Sequence, residues 1–96
     1  MPASETWNLL IQAARASESR NPVFSENCLR KALRSAEECH GKESAEAGLC
    51  LLELADFLER IGMFSEAESL SQRYQNILCK YARELGLTGN SSRFTH

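Results

Sequence analysis

Apolar side chains recur every three or four positions in four blocks along the chain, separated by short polar interruptions, and this pattern predicts four α-helices. The first runs from about Glu5 to Ser19, with Ser4 placed to cap it and Trp7, Leu10, Ile11 and Ala14 on one face. The stretch from Arg20 through Asn21 and Pro22 to Phe24 breaks it. The second, about Ser25 to Cys39, carries a stripe of Cys28, Leu29, Ala32, Leu33, Ala36 and Cys39 opposite Arg30, Lys31, Arg34, Glu37 and Glu38. Gly41 then suits a left-handed cap. In the third, about Ser44 to Ile61, Leu49, Cys50, Leu51, Leu52, Leu54, Ala55, Phe57, Leu58 and Ile61 cover most of the circumference, which predicts neighbours on several sides. The fourth, about Ser65 to Leu85, is one-faced: Ala67, Leu70, Tyr74, Ile77, Leu78, Tyr81 and Leu85 stand opposite Ser69, Gln72, Gln75, Asn76 and Lys80. The two tyrosines read as core residues with the hydroxyl at the rim.

No segment reads as a strand, so the expected fold is all-α, with helix three in the middle and touching the other three. Laying Trp7–Ser17 over Leu49–Glu59 with a shift of 42 residues places Leu9 and Leu10 on Leu51 and Leu52, and Ala13 on Ala55. The same shift sets Ser25 on Ala67, Cys28 on Leu70 and Ala32 on Tyr74. Two tandem hairpins, about 5–40 and about 44–86, then form one helical domain over residues 1–86, stacked as a short α-solenoid in which each hairpin covers a face the other leaves bare. Residues 87–96, rich in Gly and Ser, are expected to be a flexible tail unless Leu87 or Phe94 docks.

The segment Leu54 to Leu70 resembles the tetratricopeptide repeat, in which Leu and a small residue in the first helix precede a turn Gly, an aromatic and an Ala. Leu54, Ala55, Gly62, Phe64 and Ala67 take those places. Small residues at Ala55 and Ala67 would let the helices approach, Gly62 would end the first helix, and Phe64 would wedge into the hairpin. With its long connecting segment, the stretch from about 25 to 86 is most similar to the longer repeats of the kinesin light chain type. The first repeat is degenerate, matching only Trp7 and Leu10 of its helix pattern.

The resemblance implies a non-catalytic module that binds a peptide or helix of a partner protein on the face made by the first helix of each hairpin. It points to Leu49, Leu52, Asp56, Glu59 and Arg60, with Trp7, Leu10, Ala14 and Ser17 beside them, as partner-binding positions. Other readings stand next to it. Trp7 matched to the family's own Trp lies in the core, Leu49 and Leu52 can pack on the first helix, and Asp56, Glu59 and Arg60 form a solvated face. Where family members gripping a terminal carboxylate carry Lys, Arg or Asn, this chain has Leu52, Glu53 and Asp56, so that mode is not expected. The alternative function is a small helical protein that self-associates as a homodimer.

Composition narrows the partners. Apolar residues at 43% and charged residues at 25% are ordinary for a globular chain, and a net charge of -2 supplies no excess of cations for nucleic acid or an anionic membrane. No run approaches the roughly 18 apolar residues of a membrane span, and the first ten residues lack the pattern of a secretory signal, so a cytoplasmic location is expected. Cys28, Cys39, Cys50 and Cys79 show no paired spacing and read as small buried apolar residues, with no metal or other cofactor. His40 has no acid-and-nucleophile setting around it, and the carboxylates Glu37, Glu38, Glu43 and Glu46 lack a repeated Glu-x-x-His; no enzyme activity is expected.

Overall fold

The computed structural model describes residues 6–86, which form α1 Thr6–Ser17, α2 Pro22–His40, α3 Ala45–Arg60 and α4 Phe64–Glu84, with no strand among them. The fold is all-α, built as two consecutive hairpins: α1 packs on α2 and α3 on α4. α3 also packs along α2 and touches α1, so it meets all three other helices, as its apolar circumference requires. The expected cap at Ser4 and the tail 87–96, with Leu87 and Phe94, lie outside the described residues.

One boundary differs from the sequence reading, because the stretch expected to break the first helix starts the second. The Asn21 side chain accepts a hydrogen bond from the Phe24 N–H at 3.0 Å, and Pro22 occupies the first turn, where its missing N–H costs nothing. α2 is thereby extended by a turn, and this brings Ser25 into the interior, where it is fully buried and its hydroxyl donates to the Ala14 carbonyl at 2.8 Å. At the next connection Ser44 caps α3: its Oγ accepts from the Ala47 N–H at 3.0 Å and donates to the Gly41 carbonyl at 2.8 Å. Gly41 has φ of 100° as foreseen, but its ψ of 158° is extended, which turns the chain toward Ser44 instead of curling it into a left-handed cap. Gly62, at φ 86°, makes the tight turn between α3 and α4, and Met63 N–H closes it on the Leu58 carbonyl at 2.8 Å.

The core runs through both hairpins. Phe57, Leu51, Leu54, Leu58 and Cys50 of α3 are its largest fully buried side chains, and Ala32 and Ala36 of α2 are buried with them. Small residues sit at the crossings: Ala14 faces Ser25 in the first hairpin, and Ala55 and Ala67 are both buried in the second. The expectation for Phe64 is corrected by its place in the chain. Its ring does not wedge into the hairpin but stands 65% exposed at the first residue of α4, a turn ahead of Ala67, where that helix first becomes buried.

The cysteines divide. Cys28 and Cys50 are buried, but Cys39 and Cys79 are exposed and are not the buried apolar residues expected. Cys39 lies in the last turn of α2 beyond Ala36, and Cys79 falls on the outward face with Gln72, Gln75 and Asn76. Burial pushes the Cys50 thiol up to about 12, with Glu53 and Glu37 adding to the effect. The apolar stripe of α4 also reaches past what α3 can cover, leaving Leu78 and Leu85 exposed.

Candidate functional site

Between α3 and α4, on the side away from the first hairpin, a cleft of about 320 Å³ opens to solvent. One wall comes from the N-terminal half of α3, with Leu49 and Leu52; the other comes from the C-terminal half of α4, with Tyr74, Ile77, Leu78 and Tyr81. Gly48 lies in the floor, where the Ile77 and Tyr74 side chains cover it. Leu49 and Leu78 are each exposed by about two fifths, so apolar area meets water on both lips. Local sequence explains the opening. Ile77 and Leu78 are neighbours on α4, about 100° apart, so the turn that buries Ile77 against α3 must swing Leu78 outward.

Farther along α3 on the same side, one and two turns past Leu52, stand Asp56 and Glu59, both exposed. Neither carboxylate takes part in an ion pair among the described residues. Beyond the apolar cleft, the same face of α3 thus continues as an acidic stretch.

Other positions from the sequence reading fall elsewhere. Trp7 and Leu10 are half-buried and pack against the core from α1, apart from the cleft. Arg60 is held by Glu18 in a two-pronged ion pair at 2.6 and 2.8 Å, which raises the guanidinium above its ordinary value. A second such pair joins Arg15 to Glu53. Together they tie α1 and the residue just past its end to α3, across the face expected from the resemblance to bind a ligand.

Several other charged side chains pair with one another. Arg30 of α2 grips Glu66 of α4 at 2.7 and 3.0 Å and reaches Glu26 at 2.9 Å, Arg73 pairs with Glu37 at 2.6 Å, and Lys80 pairs with Glu43 at 3.0 Å. His40 lies 3.8 Å from Glu46. Among the described residues no group of three His, Cys, Asp or Glu side chains converges to hold a metal ion, and no helix is long and apolar enough to cross a membrane.

Leu49 and Leu52, expected to face a partner, line this cleft, whereas Tyr74, Ile77, Leu78 and Tyr81 were expected only as the packed face of the fourth helix and Gly48 was not singled out. Two signals pointed to them: a glycine inside a helical pattern, and adjacent large apolar residues on a helix described as one-faced. Compared with protein-family models, with curated proteins and with solved structures, the chain matches none.

Proposed function

We propose that this chain is a non-catalytic interaction module, a short tetratricopeptide-like stack that receives a helix of another protein in the cleft between α3 and α4. The observation that carries the reading is the cleft itself, lined by two tyrosines and three leucines that reach solvent between Leu49 and Tyr81. Aromatic side chains and freedom from charge characterise the centre of protein interfaces, and an apolar groove between two helices suits the apolar face of a third.

The first hairpin supports this by example. Its own groove is filled by α3, whose Cys50, Leu54 and Phe57 share a core with Leu29, Ala32 and Ala36 of α2. The second hairpin presents the corresponding surface with nothing on it among the described residues. Cysteines left unbridged in three helices suit a reducing compartment, and we take the cytoplasm as the place of action.

The reading is tested by placing a photo-reactive amino acid at position 78 and identifying the protein that crosslinks, then measuring its affinity for purified variants. Leu78→Asp and Leu49→Glu are expected to lower that affinity at least tenfold while leaving helicity and melting temperature near those of the parent. Retained affinity in both variants overturns the reading. A crosslink to a second copy, with a dimer in sedimentation, would replace it by self-association.

A further inference from the structure

We infer that the helix received by the cleft runs in the same direction as α3 and carries two basic residues on one side, two turns apart, the second in its last turn, paired with Asp56 and Glu59. The inference rests on the cleft being a helix site and adds the direction and charge of the occupant.

The contact between α1 and α3 supplies the geometry. Burial moves the match by one position from the 42-residue shift, because Ala14 and not Ala13 is buried as Ala55 is, and pairing those two sets Leu10 on Leu51, Arg15 on Asp56 and Glu18 on Glu59. Along the first hairpin, Arg15 pairs with Glu53 and Glu18 pairs with Arg60. The pairs advance together along both segments, so α3 lies parallel to α1 as it sits on the first hairpin. A helix seated likewise on the second hairpin would bring its counterparts of Glu53 and Arg60 over Asp56 and Glu59.

The sign of the charges then follows. Arg15 and Glu18 present one charge of each sign and meet the opposite sign on α3, whereas Asp56 and Glu59 are both acidic, exposed and outside any ion pair among the described residues. Complementarity asks for Lys or Arg at both facing positions, and a cation in the last turn is favoured further by that helix's own dipole. The apolar face must match as well: side chains at the places of Cys50, Leu54 and Phe57 would descend between Leu52 and Leu78. A second copy offering its first helix would bring Gln12 and Ser19 to the places of Glu53 and Arg60, neither of them charged, so another protein with a basic-ended helix fits better.

The test uses synthetic helical peptides of 16 residues, the length of α3, with leucine at the places of Cys50, Leu54 and Phe57. One carries arginine at the places of Glu53 and Arg60, a second carries glutamate there, and a third has the arginines moved to its first two turns. Binding to the full chain is read by fluorescence anisotropy at low and high salt. The first peptide is expected to bind roughly tenfold more tightly than the second at low salt, with the margin shrinking as salt rises. Asp56→Lys combined with Glu59→Lys should reverse the order, and Leu78→Asp should weaken all three. Equal affinity for the first two peptides, with loss of both in Leu78→Asp, overturns the charge inference and leaves the cleft reading standing. Preference for the third peptide overturns the shared direction. Failure of every peptide to bind overturns the inference together with the reading beneath it.

Discussion

Two phenylalanines seven positions apart show how far the surroundings decide the worth of a side chain. Phe57 is fully buried at the centre of α3, and Phe64 is 65% exposed at the start of α4. Truncating the first should cost about 3–5 kcal/mol, because the cavity cannot be filled from either hairpin. Phe64→Ala should stay within about 0.5 kcal/mol of the parent, as surface changes usually do. Denaturant unfolding of both variants checks the contrast, and a large loss at Phe64 would mean that its ring is covered in solution. The thiols divide by the same logic. Cys39 and Cys79 should react with a thiol reagent in the folded protein, while Cys28 and Cys50 should wait for unfolding. For Cys50 the delay has a second cause, since a thiol pushed up to about 12 offers almost no thiolate at neutral pH. Counting the fast and slow thiols settles it.

Among the helices, α3 contains a substitution of opposite sign to the usual one. Gly48 lies in its interior, where glycine costs about 0.5–1 kcal/mol relative to alanine. A Cβ added there would meet the Ile77 side chain at 3.5 Å, an ordinary contact. Gly48→Ala should therefore stabilise the protein by about that amount while shallowing the floor of the cleft and weakening the binding of a helix. At the end of the same helix the result reverses. Gly62 has open space around it but a φ of 86°, so Gly62→Ala should destabilise by about 1–2 kcal/mol through backbone strain alone. Thermal melts of the two variants should move in opposite directions. The helix starts were partly legible for a related reason: Ser44 announces α3 by its chemistry, and Asn21 before Pro22 announces α2 when the pair is taken as a cap instead of a break.

Taken together, the hairpins are joined by two different kinds of force. α3 meets α1 and α2 through the shared apolar core, whereas no Cα of α2 lies within 8 Å of one in α4, and those two helices are linked by Arg30 with Glu66 and Arg73 with Glu37. The hydrogen bond from Arg30 holds the Glu66 carboxyl below its ordinary value of 4.5. A carboxyl depressed in the folded state contributes stability above its unfolded value, and that contribution fades as pH falls through the lower folded value. Stability should thus decline on acidification below about pH 4.5, with Glu66→Gln lowering stability at neutral pH and flattening the decline. Since both partners are more than a third exposed, the difference at neutral pH should be about 1 kcal/mol or less. Urea unfolding of parent and variant between pH 3 and 7 measures it, and parallel pH curves would show that the pair contributes nothing.

Helix content and order followed from periodicity, which is a local property: every third or fourth side chain shares a face whatever lies beyond it. The central place of α3 followed as well, because an apolar circumference has to be covered on several sides. The exposure of Phe64, Cys39 and Cys79 did not follow, for burial depends on which neighbour reaches a given turn. Nor could the pattern show that Leu49 and Leu52 face Leu78 and Tyr81 across an open cleft, with Asp56 and Glu59 beyond them. A stripe of apolar residues reads alike whether it is covered or bare, and only the packing of the two hairpins determines which part of it stays open to a partner.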